Sequence, residues 1–383
     1  MESLHFFQLY WWAIVSLLGA LLVFLLFVQG GQSLLLGTGA DEEDKNFIIG
    51  TLGHKWEITF TTLVTFGGAA FASFPLFYST SFGGAYWLWI AILLLFVVQA
   101  VSYEFRNKAS NLLGSRVYDF FLFLNGALGT ILLGVAVGTF FSGGNYYMDK
   151  LNLTNSVGYT VSYWTNDFRG LEAIANPFNL LLGVVVFLVA RLLGLLYLES
   201  AVKKGNGSAF AERCNMQIKV LSVAFVAMFV LFLAILFLRT GYGVDPGTGI
   251  ITEVKYKYFF NMTELVWPAL LLLAGVVIVL AGLAAANLCK KDGFLKRNSF
   301  YVVGSGVVLA VWSLLICAAF NDTAYFPSLS SLQDSLTLYN SSSSLFTLKV
   351  MTYVSFAVPF VLAYIIVVWR KMNRNIDDTK YED

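Results

Sequence analysis

Nine separate stretches of this sequence are apolar over about 20 residues, the length that an α-helix needs to cross the hydrocarbon core of a membrane. Only 12% of the 383 residues are charged, about half the share found in a soluble domain, so most of the chain cannot face water. We therefore predict an all-α integral membrane protein that forms one polytopic domain over residues 1–383. The nine predicted transmembrane helices are about 7–29, 57–78, 84–103, 117–141, 178–198, 216–238, 267–286, 299–320 and 349–369.

The basic residues between these helices predict the orientation of the chain. Sixteen Lys and Arg residues fall in the loops after the first, third, fifth and seventh predicted helices and in the C-terminal tail. Only five fall in the N-terminus and the remaining loops. Because basic loops stay in the cytoplasm, we expect a periplasmic N-terminus and a cytoplasmic C-terminus. Tryptophans near the predicted helix ends, including Trp11 and Trp12, are interpreted as anchors at the membrane interface.

The composition narrows the classes of function. A net charge of +1 gives no reason to expect a nucleic-acid partner. The three cysteines form no CxxC pair, so neither a zinc site nor a disulfide framework is indicated. The two histidines, His5 and His54, do not form a pair on facing helices, and haem and most catalytic metals usually need imidazole. We expect no catalytic residue, cofactor or metal ion in this chain.

Polar residues at the predicted cytoplasmic ends of the helices are the first candidates for function. Glu57 begins the second predicted helix, Glu104 ends the third, and Gln29 ends the first. Since the second and third helices are joined by a short loop, the two acids should lie at similar depth on antiparallel neighbours. Thr61 and Thr65 share the helical face of Glu57. These residues could form a proton path. Alternatively, the acids are ordinary interfacial carboxylates that Arg106, Lys108 or a helix N-terminus satisfies.

The second predicted helix also carries small residues that suit close packing. In Gly67–Ser73, Gly68 and Ala72 are four residues apart, a spacing that lets helix backbones approach. A narrow passage for a small apolar molecule is the alternative interpretation. Pro75 should kink or end this helix near its periplasmic end.

Arg191 is the basic residue well inside a predicted span. Charged groups within a membrane are energetically unfavourable unless they reach water or a partner. We expect Arg191 either to snorkel towards the interface or to pair with an acid on another helix.

Several motifs in this sequence resemble subunit II of cytochrome bd-type quinol oxidases. The sharpest is His54–Trp87, with its Trp56–Glu57 pair, its Gly67–Tyr78 run that includes Pro75, and its Gly-rich turn. Further stretches match in the same order along nearly the whole chain: YEFRNK at Tyr103–Lys108, GVAVG at Gly134–Gly138, ANPFNLLLG at Ala175–Gly183 and the segment Ser335–Tyr353.

The resemblance implies a haem-free subunit of a complex that oxidises ubiquinol or menaquinol and reduces oxygen to water in the bacterial inner membrane. Its fold would be two four-helix bundles plus one additional helix. Haems b and d would belong to the partner, subunit I, and small accessory membrane subunits could attach. Membrane lipids and quinone are the other expected partners. On the family pattern, Glu57 and Glu104 occupy acidic positions of a proton path from the cytoplasm.

The sequence departs from the family pattern at the end of the first helix. The family often has a D-G-F-D motif there, and this chain has Gln29-Gly30-Gly31-Gln32. An amide can form hydrogen bonds but cannot take up and release a proton near neutral pH. Two other functions stay open at this point, a secondary transporter and a purely structural membrane scaffold. A transporter should show interrupted helices at matched positions in two halves, and the sequence contains no clear internal repeat.

Overall fold

A computed structural model of the chain describes residues 2–108, 111–149, 161–202, 208–288 and 294–375. Helices dominate it. The helices before the first strand are α1 (Glu2–Leu25), α2 (Phe27–Gln32), α3 (Glu42–Gly53), α4 (Trp56–Ser73), α5 (Pro75–Tyr78), α6 (Tyr86–Phe105), α7 (Ser115–Leu124) and α8 (Thr130–Ser142). The later ones are α9 (Pro177–Ala201), α10 (Ser208–Leu238), α11 (Lys257–Glu264), α12 (Val266–Leu288), α13 (Phe294–Arg297), α14 (Ser299–Ala319), α15 (Leu338–Ser341), α16 (Leu345–Ser355) and α17 (Val358–Asn375).

Four short strands form two antiparallel hairpins, and short non-α turns complete the structure. Strands β1 (Tyr146–Met148) and β2 (Ser162–Trp164) pair with each other, as do β3 (Gly241–Val244) and β4 (Ile251–Val254). The π-helical turns are Ser79–Gly84 and Asn125–Gly129, and the 3₁₀ turns are Leu171–Ala175 and Leu332–Asp334. We call the end of the bundle with these strands the hairpin end and the opposite end the Glu57 end.

Seven helical segments among the described residues are long and apolar enough to cross a membrane, judged by length and composition. Each coincides with one of the nine predicted spans. They are Ser3–Gln32, Tyr86–Phe105, Ser115–Ser142, Pro177–Ala201, Ala209–Leu238, Val266–Leu288 and Ser299–Ala319. The chain is therefore a multi-pass helical membrane protein.

The remaining two predicted spans are each divided by a proline. The second ends at Ser73, and Phe74 leaves helical geometry at φ −133° and ψ 65°, because a residue before proline avoids the α region. This matches the break expected at Pro75. The ninth, predicted as one helix, is split into α16 and α17. Pro359 lies four residues after Ser355, the last residue of α16, and its ring would clash with that residue's carbonyl in a continuous helix.

Helix α1 lies in the core, and this corrects the interpretation of its tryptophans as interface anchors. Trp12 is 2% exposed, and its indole Nε1 donates to the carbonyl of Leu315 on α14 at 2.9 Å. Trp11 is also buried, and its Nε1 donates to the carbonyl of Leu348 on α16 at 3.0 Å. A buried indole needs a hydrogen-bond acceptor, and these carbonyls provide one inside the protein.

Glycines allow α2 and α9 to touch backbone to backbone. A Cβ placed on Gly30 would lie 1.9 Å from the carbonyl oxygen of Ala190, and one on Gly194 would lie 2.4 Å from the nitrogen of Gly31. Real Cβ contacts are never that short. The close approach fixes the end of α2, and with it the position of Gln29 and Gln32.

Candidate functional site

Aromatic contacts hold α4 and α6 side by side at the Glu57 end. The rings of Trp56 and Tyr103 stack with centroids 6.2 Å apart and planes 11° apart. One turn further along, Phe60 and Phe96 meet at 5.7 Å. Glu57 follows Trp56, and Glu104 follows Tyr103, so both acids lie at the same end of antiparallel neighbours.

Glu57 lies on an exposed face of α4. Thr61 and Thr65 are exposed on the same face, and the hydroxyl of Thr65 donates to the carbonyl of Thr61 at 2.7 Å. Val64 and Phe71 are exposed beside them. The resulting Glu57 stripe therefore mixes acid, hydroxyl and apolar groups on a surface that the described residues leave open.

Glu104 forms an ion pair with Lys108, one turn further along the chain. Its side chain is 63% exposed. A pair this exposed contributes little to stability. Lys108 is one of the partners expected for Glu104 if this acid is an ordinary interfacial carboxylate.

A buried ion pair beneath these acids escaped the sequence interpretation. Arg106 Nε donates to Asp119 Oδ1 at 2.5 Å, and both side chains are at most 2% exposed. The second guanidinium nitrogen donates to Glu42 at 3.0 Å, and Lys45 lies 3.6 Å from Asp119. A hydrogen bond from Lys45, helped by the positive charges of Lys45 and Arg106, lowers the pKa of Glu42. An acid two residues inside a predicted apolar helix was the signal that could have identified Asp119.

The amides at the end of the first span face partners on α6. Gln29 Nε2 donates to Gln99 Oε1 at 3.1 Å, and Gln32 Nε2 donates to the hydroxyl of Tyr103 at 3.0 Å. Gln29, Gln32 and Gln99 are at most 1% exposed. Gln29 is a candidate from the sequence, whereas Gln99, inside an apolar helix, is not among those candidates.

Lys55 is fully buried just before α4. Its Nζ lies over the ring of Tyr197 at 5.2 Å and over that of Trp369 at 5.6 Å, measured to the centroids. Within the described residues its ammonium group has no hydrogen-bond partner. Burial lowers the pKa of Lys55 to about 8.

Arg191 reaches neutral groups rather than an acid. Its guanidinium donates to the carbonyl and hydroxyl oxygens of Ser33 at 2.7 and 2.9 Å, and to Gln217 Oε1 at 3.3 Å. These bonds link α9 with the end of α2 and with α10. These contacts connect Arg191 to neighbouring helices. They differ from both expectations for this residue, which were snorkelling to the interface and pairing with an acid.

The small residues of α4 have different surroundings. A Cβ on Gly67 would meet Phe82 at 3.6 Å, whereas one on Gly68 would meet no described atom within 4 Å. The carbonyl of Ala72 accepts a hydrogen bond from Ser343 at 2.6 Å. Packing through Gly68 therefore stays a prediction, because the described residues provide no surface against it.

The two histidines lie at opposite ends of the molecule. His54 is exposed at the end of α3. His5 stacks on Tyr339 at the hairpin end with ring centroids 5.3 Å apart. Among the described residues, no group of three His, Cys, Asp or Glu could hold a metal ion.

The architecture is shared with a solved respiratory enzyme. The structure of bd oxidase from Geobacillus thermodenitrificans superimposes with a TM-score of 0.67 at 13% identity, covering 97% of this chain and 99% of that one. At that identity the likeness establishes the fold.

Similarity in sequence extends over almost the whole chain. It is 28% identical to the "Probable cytochrome oxidase subunit 2" of Haemophilus influenzae, over 98% of this chain and 97% of that protein. It is 26% identical to the "Cytochrome bd-I ubiquinol oxidase subunit 2" of Escherichia coli K12, over 92% and 91%. The Bacillus subtilis "Cytochrome bd ubiquinol oxidase subunit 2" is 28% identical over 85% and 83%. The profile of cytochrome bd terminal oxidase subunit II matches residues 7–372, and the chain therefore belongs to that family.

Proposed function

We propose that this chain is the haem-free subunit of a quinol-oxidising, oxygen-reducing complex and that it supplies protons from the cytoplasm through Glu57. Family membership makes it one subunit of an oxidoreductase complex with a partner oxidase subunit I. The positions of His5 and His54, one at each end of the bundle, support the assignment of haems b and d to that partner.

The observation that carries the proton path is the open Glu57 stripe. Acids and hydroxyls that face lipid are energetically unfavourable, so intramembrane ionisable groups usually face protein or water. Glu57, Thr61 and Thr65 face away from the core of their own chain. We infer that the haem-bearing subunit covers this face. A proton taken up at Glu57 would then travel along the interface between the two subunits.

The proposal also includes the orientation of the chain and the number of its membrane spans. The Glu57 end is cytoplasmic, the N-terminus is periplasmic and the C-terminus is cytoplasmic. In the assembled complex, α4 and α5 together form the second membrane segment, and α16 and α17 together form the ninth. Each of these segments contains a proline break. This would give nine spans, arranged as two four-helix bundles and one additional helix. Quinol, lipids and any accessory subunit bind to the complex as a whole.

The test is to replace Glu57 by Gln in the complete complex. We expect Glu57→Gln to lower quinol-driven oxygen consumption at least several-fold while subunit assembly and haem content stay normal, because the amide cannot carry a proton. Glu104→Gln should have a smaller effect, since Glu104 pairs with Lys108 on α6 and lies outside the Glu57 stripe. Glu43→Gln, at an exposed acid on α3, is the matched control. Full turnover in both the Glu57 and Glu104 variants would contradict the proton path and leave a purely structural scaffold as the function of this chain.

A further inference from the structure

Two buried hydrogen-bond donors lie close together at the Glu57 end without an acceptor. Lys55 Nζ is 5.6 Å from the centroid of the Trp369 ring. Within the described residues, neither this ammonium group nor Trp369 Nε1 has a hydrogen-bond partner. Both groups donate and cannot accept. Because buried polar groups almost always have a partner, the pair indicates a ligand that accepts hydrogen bonds from both.

Aromatic rings from three helices surround these donors. Phe27 on α2 meets the ring of Trp369 on α17 at 5.8 Å and that of Tyr197 on α9 at 4.8 Å, measured between centroids. Lys55 itself is 0% exposed. We call Lys55, Trp369, Phe27 and Tyr197 the Lys55 cage. Since its walls are rings and not carboxylates, they leave the charge of Lys55 uncompensated.

The charge of Lys55 makes an anion the ligand that fits the cage. A water molecule would accept the hydrogen bonds, but it would leave a buried positive charge without a counter-charge, which is energetically unfavourable. Two more basic residues, Arg370 and Lys371, directly follow Trp369 and are exposed. The end of α17 therefore adds positive charge next to the cage, and this charge attracts an anion.

Helix α17 also leaves room for an apolar chain beside the cage. Ile365 and Ile366 lie four and three residues before Trp369, so they share the side of the helix that carries the indole. That side contacts the bundle at Trp369, yet Ile365 is 37% and Ile366 is 53% exposed. The described residues therefore leave an apolar surface uncovered one turn from the cage. An inorganic anion would leave this surface bare, whereas the acyl chain of a lipid would cover it.

We propose that the Lys55 cage binds the phosphate group of an anionic phospholipid whose acyl chains lie against Ile365 and Ile366. The phosphate oxygens accept from Lys55 Nζ and Trp369 Nε1, and their negative charge compensates the ammonium group. On the proposed orientation this end is cytoplasmic, the side on which basic pockets between transmembrane helices bind lipid headgroups. The lipid joins α17 to α2 and α9, a role separate from the proton path.

Thermal unfolding of the whole complex at pH 7 tests the proposal. The complex is stripped of lipid in detergent and then titrated with phosphatidylglycerol in mixed micelles. We expect the lipid to raise the unfolding midpoint of the wild type by several degrees, and Lys55→Met to lose at least half of this shift because it lacks the charge. Trp369→Phe keeps an aromatic ring but loses a donor, so it should need at least threefold more lipid for half of its shift. A full shift in Lys55→Met would overturn the proposal.

Two controls separate the charge of the cage from general effects and identify the source of the phosphate. Lys349→Met removes an exposed lysine on α16 and should retain the full shift, and a loss equal to that of Lys55→Met would contradict a specific site. Inorganic phosphate, added to the stripped wild type in place of lipid, should give no shift. A shift as large as that with phosphatidylglycerol would assign the cage to a free anion and overturn the lipid.

A cryo-electron microscopy map of the lipid-loaded complex is the direct test. We expect density for a phospholipid headgroup within hydrogen-bond distance of Lys55 Nζ. A carboxylate of the partner subunit in that place would overturn the proposal. Because neither measurement follows oxygen reduction, the lipid site and the proton path can fail independently.

Discussion

The surroundings of Lys55 differ from those of an ordinary loop lysine and change its protonation. A lysine in a loop next to a membrane normally extends into water. This one is enclosed by aromatic rings from α9 and α17, and two weak cation–π contacts replace hydration. Burial without an acidic partner favours the neutral amine.

The lowered pKa of Lys55 predicts a pH-dependent stability. Between pH 8 and 10.5 the unfolded chain binds a proton that the folded chain has released, so the free energy of unfolding should rise with pH across this window. Below pH 8 the buried charge costs about 3 kcal/mol at most. We expect Lys55→Met to raise the thermal unfolding midpoint at pH 7 and to lose this pH dependence.

Thermal unfolding of the purified, lipid-stripped complex from pH 7 to 10.5 checks the prediction. Lys349→Met removes an exposed lysine and serves as the control, with the wild-type slope expected. An identical slope in the Lys55→Met protein would show that other groups cause the pH dependence.

At the scale of the helix, the distribution of glycines predicts where close packing matters. Gly30→Ala should impair assembly of the complex strongly, because the added methyl group would overlap the carbonyl of Ala190. Gly68→Ala adds the same methyl group to a site that has free space among the residues the structure describes. The yield of assembled complex from membranes is the measurement. Equal yields of the Gly30→Ala variant and the wild type would contradict the α2–α9 contact.

The Gly68→Ala variant also reports on the partner. If the haem-bearing subunit covers the Glu57 stripe closely, we expect this substitution to weaken subunit association while leaving the isolated chain stable. Wild-type association would indicate that the covering surface stays distant from α4 at this point.

The helices could be predicted from the sequence because each leaves a local signal about 20 residues long. The break at Pro75 was predictable for the same reason, and Pro359 carried an equal signal for the break in the ninth span. Trp11 and Trp12 were misinterpreted because their acceptors lie more than 300 residues away in the chain. An acid inside a predicted apolar helix was a local signal for Asp119, but its partner Arg106 and the partner of Gln99, Gln29, lie on other helices, and no local pattern identifies such partners.

The segment Ser335–Tyr353, one of the motifs that resemble the family, has a structural role. Thr337 and Asn340 form a capping box at the start of α15, and Ser344 caps α16 by accepting from the Thr347 amide. Leu348 then provides the carbonyl that receives Trp11. The motif therefore encodes two helix starts and their attachment to α1.

For the whole molecule, the proposed orientation makes a direct prediction about chemical labelling. Leu112 at the Glu57 end is 92% exposed, and Leu329 at the hairpin end is 52% exposed. In a background with the native cysteines replaced by alanine, Leu329→Cys should react with a membrane-impermeant thiol reagent on spheroplasts. Leu112→Cys should react only in inverted vesicles. The reverse pattern would place Glu57 in the periplasm and remove the cytoplasmic proton source.

The bond between Trp12 and Leu315 has a consequence for how the chain is made. A ribosome that adds about 5–20 residues per second releases α1 into the membrane roughly 15–60 seconds before α14 exists. During that interval the indole of Trp12 lacks its final acceptor, and any nascent chain that stops before α14 keeps it so. The first helix therefore reaches its native environment only when synthesis has almost finished.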